Sequence, residues 1–181
     1  MNEKLFWRLI GEAVASPNPY TTLEKSLEPM QLEELLEFIQ IYSRCEEALF
    51  TPAHLTAAFL LHEGTLDDED FGVYTEGVVG ATNAAYLDVK EDPDKLLDYS
   101  IYKTVLNLDS HPFASAPVAV GKRKFGAQWR DESKKERWKV LPTDYDRIEL
   151  GGKKGVDIIT PDLAKRLVPR LYEIYGSRCD W

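Results

Sequence analysis

Two oppositely charged sets of residues have the types and spacing to do chemistry. The first is His62, Glu63, Asp67, Asp68, Glu69 and Asp70, five carboxylates and an imidazole within nine positions. Carboxylates at that density suit a hard divalent cation or a cationic protein surface. The spacing fits no calcium loop, because no bidentate glutamate follows at the right distance. Acids in the first turn of a helix also complement its dipole, so the plain reading is a capping cluster. Beyond that reading, Glu63, Asp67, Asp68, Glu69 and Asp70 are assigned to a basic partner rather than to a metal.

The second set is Lys122, Arg123, Lys124, Arg130, Lys134, Lys135, Arg137 and Lys139, interleaved with Phe125, Trp129 and Trp138. Cations contact phosphates and aromatic rings stack on bases, so the set could meet a phosphate, a nucleotide or RNA. Lys122, Arg123, Lys124, Trp129, Lys134, Lys135 and Arg137 would carry that contact. Two other accounts compete. The tryptophans could fold back onto the body of the protein, or the cations could lie against the chain's own acids.

Other candidates are weaker. Asp70-Phe71-Gly72 mimics a kinase metal-binding triplet, but no glycine-rich phosphate loop or His-Arg-Asp loop accompanies it. Gly151-Gly152-Lys153-Lys154-Gly155 misses the P-loop spacing, and no Ser or Thr follows its lysine, so it reads as a flexible turn. The histidines are His54, His62 and His111, with no Gly-x-Ser-x-Gly elbow and no His-Glu-x-x-His. His54, third in a capped helix, is expected to act locally. We assign no catalytic residue, no metal and no cofactor from the sequence.

The elements that must position these residues are mostly helices. Phe6, Trp7, Ile10 and Val14 recur at helical spacing over 3–14. Ser16-Pro17-Asn18-Pro19 stops that helix, and a short one can follow to Leu27. A helix from about Pro29 to Phe50 buries Leu32, Leu35, Leu36, Ile39, Tyr42 and Leu49 and leaves Glu46 wet. Thr51-Pro52 caps and starts the next, Gly64 ends it, and its apolar circumference predicts a central position. Acids at 67–70 open another helix, Ala81 to Glu91 continues, and Asp92-Pro93-Asp94 restarts the chain. Thr160-Pro161 begins the last helix, which Pro169 must kink or break. Residues 109–159 read as a Pro/Gly-rich irregular excursion, with short strands at Pro117–Val120 and Trp138–Leu141 and a loop at Arg130–Arg137. The expectation is a mainly α, orthogonal bundle of five or six helices. It forms one domain: an acidic bundle over 1–108, the excursion over 109–159, and a kinked helix over 160–176.

Charge is unevenly spread. Residues 1–100 hold 20 acids and 6 bases, and residues 121–139 hold 8 bases and 3 acids, within a net charge of −9. Such an acidic half repels phosphates and argues against wrapping a nucleic acid. No apolar run is long enough to span a membrane, and charges interrupt the start of the chain, so a cytoplasmic location is expected. Cys45 and Cys179 make neither a disulfide framework nor a zinc set. Cys45 fits a core boundary and Cys179 an exposed, frayed end.

Several of these pieces together resemble a known family. They are Phe6-Trp7; Ala57-Ala58-Phe59-Leu60-Leu61 leading through Gly64 to Asp67-Asp68 and Phe71; Asp92-Pro93-Asp94; and Pro169-Arg170-Leu171-Tyr172. The order resembles the bacterial family of domain of unknown function 4240 over residues 3–98 and 160–176. The chain departs from that pattern at Thr75-Glu76-Gly77-Val78, where an Arg-x-Trp-Leu stretch is expected. The resemblance implies a fold and no mechanism. The expected role is an acidic, non-enzymatic protein-interaction module of immunity or adaptor type. The alternative is a small enzyme or nucleotide-binding protein using a cleft beside 109–159, with His111 and Asp109 near Lys122, Arg123 or Trp129.

Overall fold

The computed structural model describes residues 1–99, 112–137 and 147–181; of these, the side chains of Pro112 and of residues 133–137 are not described. The strand expected at Trp138–Leu141 and the expected roles of Asp109 and His111 fall outside the described residues. Nine α-helices and one two-stranded hairpin are described, so the fold is mainly α, with more helices than the expected five or six. They gather into two compact units. Unit 1 comprises 1–47, 79–83 and 109–142, and unit 2 comprises 48–78, 84–108 and 143–181.

Unit 1 is built from α1 (Glu3–Val14), α2 (Pro19–Leu27), α3 (Leu32–Glu47) and α7 (Pro112–Arg137). Asn2 and Asn18 cap α1 and α2 by accepting from Leu5 N at 2.9 Å and Thr21 N at 3.2 Å. These bonds satisfy amides that have no partner inside a helix. The buried face of α1 is Phe6, Leu9, Ile10 and Ala13. Val14 is exposed, so the stripe is turned from the one expected. Helix α3 starts at Leu32, three residues after Pro29, because Glu34 reaches back to accept from Gln31 N at 2.9 Å. Phe38 and Ile41 join its core, and Glu46 is buried rather than wet. Phe6 packs on Phe38 with ring centroids 4.9 Å apart.

Helix α7 corrects the expectation for 109–159. Pro117–Val120 is helical, not a strand, and so is Arg130–Arg137. Pro117 lies near the start of α7 and costs one backbone bond, which packing against α2 and α3 outweighs. The helix reverses at Gly126, where φ is 54° and ψ is −117°. That left-handed residue folds Trp129 back onto Gly121, where an added Cβ would sit 2.1 Å from the indole. Glycine in the helix is therefore a packing requirement, not a signal of irregular chain.

Unit 2 centres on α4 (Pro52–Leu61), which contacts the 3-10 turns at Pro93–Leu97 and Gly155–Ile158 and the helices α8 (Pro161–Leu167) and α9 (Pro169–Tyr175). The expected central helix is thus a hub within this unit, with Leu55, Ala57, Ala58 and Leu60 fully buried. Thr51 caps it, accepting from His54 N at 3.3 Å. Helices α5 (Asp68–Val79) and α6 (Asn83–Glu91) complete the helical part. The hairpin pairs β1 (Glu149–Leu150) with β2 (Lys153–Lys154). Gly151 and Gly152 between them have φ of 61° and 82°, as a two-residue hairpin turn with both residues left-handed requires. The chain breaks between α8 and α9 at Val168, ahead of Pro169, as expected.

Candidate functional site

The acidic segment of unit 2 sits on the turn from α4 to α5. Helix α4 ends in a reciprocal pair of bonds, Gly64 N to Phe59 O at 3.0 Å and Glu63 N to Leu60 O at 3.1 Å. Glu63 takes the left-handed position with φ 53°, where glycine is usual. Its carboxylate accepts from Arg178 at 3.0 Å. Asp67 and Asp70 form a reciprocal cap: Asp70 N donates to Asp67 at 2.8 Å, and Asp67 N donates to Asp70 at 3.2 Å. His62 Nδ1 lies 3.4 Å from Asp70. Asp68 and Glu69 face outward from the first turn. Asp67 and Asp70 therefore close the helix end, Glu63 holds Arg178, and Asp68 and Glu69 lie exposed on the same turn. Among the described residues, no three His, Cys, Asp or Glu side chains converge in a way that would hold a cation.

The basic set lies on α7 in unit 1. Arg123 donates to Glu24 at 2.7 Å and to Glu28 at 2.5 Å. The Glu28 bond, then the Glu24 bond, raises the guanidinium pKa. Lys124 Nζ donates to the carbonyls of Glu28 and Met30, just past the end of α2, where carbonyls lack helical partners. Trp129 is buried. Lys122 is exposed, and Arg130 is exposed beside Asp131 at 3.6 Å. Lys134, Lys135 and Arg137 are helical, with side chains outside the described set. Two of the expected phosphate-contacting cations thus meet acceptors of this chain, and the tryptophan belongs to its core.

The sequence reading missed two polar clamps in unit 2. His54 is 1% exposed, not local in role. Its Nε2 lies 3.1 Å from the carbonyl of Lys90, which can only accept, so Nε2 carries the proton. Nδ1 then accepts from the Tyr74 hydroxyl at 2.7 Å. Burial pushes His54 down to about 4, opposed by the Lys90 bond, and pushes Tyr74 well up. The second clamp is Asp94, 3% exposed. Its two oxygens accept from Arg170 N and Leu171 N, each at 2.9 Å. It thereby caps α9, which has no side-chain cap of its own. Arg170 also donates to Asp98 at 2.7 Å, a bond that lowers the Asp98 carboxyl. The signal for the second clamp was the pairing of Asp92-Pro93-Asp94 with Pro169-Arg170-Leu171, which a pattern search treats as separate motifs.

Where the chain departs from the family pattern, Thr75-Glu76-Gly77-Val78 is an interior stretch of α5, with Glu76 1% exposed. One further expectation changes. Cys179 is 7% exposed and its thiol lies 3.7 Å from Tyr175 O. Burial first, then Glu63 and Asp180, pushes that thiol up.

These features define a mainly α-helical protein with a capped acidic turn and internally paired cations. The chain belongs to the DUF4240 family, described as a protein of unknown function, whose model matches residues 1–125. No curated protein and no solved structure matches it. No helix among the described residues is long and apolar enough to cross a membrane.

Proposed function

We propose that this chain is a non-enzymatic interaction module whose unit 2 meets a basic protein partner. Unit 2 holds 18 acidic and 10 basic residues, whereas unit 1 holds 13 and 12. That excess carries the reading. Its exposed members include Asp68 and Glu69 on α5, beside Glu63, Asp67 and Asp70. Complementary charge of this kind speeds encounter and selects partners more than it tightens the final complex. An immunity-type protein that masks a basic toxin, or an adaptor in a bacterial cytoplasm, suits such a surface.

Capture of partners on the immobilised chain tests the reading. Binding should fall steeply between about 0.05 and 0.5 M salt, because screening shortens the reach of exposed charges. Capture indifferent to salt would falsify it. The competing reading, an enzyme or nucleotide binder using the basic residues and a cleft beside 109–159, predicts a different outcome. A thermal-shift screen with nucleotides and divalent ions would then raise the melting temperature. The bonds from Arg123 and Lys124 to α2 and its end count against that reading.

A further inference from the structure

Beside the acidic turn, unit 2 carries an aromatic corner. Trp181 is 47% exposed although its indole N–H donates to Gly176 O at 2.8 Å. Its ring centroid lies 5.8 Å from Phe59 on α4 and 5.8 Å from Tyr172 on α9. The segment before it is pressed onto the α4 turn. A Cβ at Gly64 would come 3.0 Å from Cys179 Cα and 3.2 Å from Asp180 N. Arg178 in the same segment pairs with Glu63 at 3.0 Å. An amphipathic ring is thus held half bare beside Asp180 by a hydrogen bond, two ring contacts and a backbone fit.

We propose that this corner is the docking point for an arginine-rich segment of a basic protein; it rests on the acidic-module reading above. The chain already shows the chemistry twice in this neighbourhood. Arg178 lies over the Tyr175 ring at 5.0 Å while it bonds Glu63. Lys165 lies over Tyr172 at 5.3 Å with Asp162 at 4.0 Å. In both, one cation meets a ring face and a carboxylate together. Trp181 offers the best cation-binding ring of the set, with Asp180 exposed beside it and the Glu63 carboxylate tied to the same segment through Arg178. A guanidinium is planar and weakly hydrated, so it stacks on an indole better than an ammonium does. A buried aromatic anchor inside a charged surround is also how binding energy concentrates at protein interfaces.

The test uses two twelve-residue peptides of equal charge, one rich in arginine and one in lysine, titrated calorimetrically into the full chain at low salt. The arginine peptide should bind more tightly and shift the Trp181 indole N–H resonance, assigned from W181F. W181A should weaken the arginine peptide about three- to thirtyfold. W181F keeps a ring in place and should lose less; it also guards against misfolding, which melting curves of both variants report. The double variant Asp68→Asn, Glu69→Gln should weaken both peptides alike. Unchanged arginine binding in W181A and W181F, with the double variant still weakened, overturns the corner and leaves the acidic module standing. No binding of either peptide at low salt overturns both.

Discussion

Units 1 and 2 solve the same problem by different means. Unit 1 packs the basic helix α7 on the acidic helix α3 and on α2 and ends nearly neutral, with 13 acids against 12 bases. Its core is mostly aromatic and aliphatic, with Phe6 on Phe38 and Trp129 on Gly121, though it also buries Ser43 and Glu46. Unit 2 keeps an excess of eight acids, 18 against 10, and buries His54, Thr56, Thr75, Glu76 and Asp94. Apolar packing is non-directional, whereas buried polar groups stabilise only when their partners are placed well. The difference teaches that unit 1 should fail through lost volume and unit 2 through lost partners or protons.

The largest effect expected is from Trp129→Ala, which empties the space above Gly121 and should cost unit 1 about 3–5 kcal/mol in urea unfolding. Loss below 1 kcal/mol would mean that the reversal at Gly126 does not hold the core. Asp94→Ala should cost unit 2 about 2–4 kcal/mol, because two backbone N–H groups lose their acceptor. Hydrogen exchange at Arg170 and Leu171 should rise with it.

Acid should separate the units next. His54 is neutral when folded, with its value pushed down to about 4, while the unfolded chain protonates it near 6.5. Between those values the unfolded state binds more protons, so stability rises with pH, and the contribution is complete above 6.5. The loss on acidification amounts to on the order of 3 kcal/mol at most. A His54→Gln variant whose pH profile keeps the full slope would assign the effect elsewhere. Glu63→Gly should stabilise unit 2 by roughly 1 kcal/mol, since glycine tolerates the left-handed backbone. Arg123→Ala should have the smallest effect, a fall in melting temperature that vanishes in high salt, because its bonds are exposed.

What the sequence revealed follows from the range of each interaction. Thr51-Pro52, Thr160-Pro161, Asn18-Pro19 and Pro169 mark helix ends through bonds and clashes within four residues, so they were legible. Helix α7 was not, because Pro117 and the glycines near it lower local propensity, while its bonds to α2 and the turn after it span 94 to 99 positions. The capping role of Asp67 and Asp70 was visible from their spacing. The Asp94 clamp and the His54–Tyr74–Lys90 chain were not, since their partners are 20 to 77 positions distant. Charge was legible only in part: the split at residue 100 misplaced the excess, because the basic segment folds into unit 1.

The Asp94 bonds also set an order of events during synthesis. A ribosome makes Asp94 long before Arg170 and Leu171, which follow 76 and 77 residues later. At about 5–20 residues per second, the carboxylate waits several seconds for the amides it will hold. Through that interval α4 lacks α8 and α9, so its apolar surface stays open to chaperones or to other nascent chains. Unit 2 is therefore a late closer on the ribosome, sealed only when the 169–171 turn emerges.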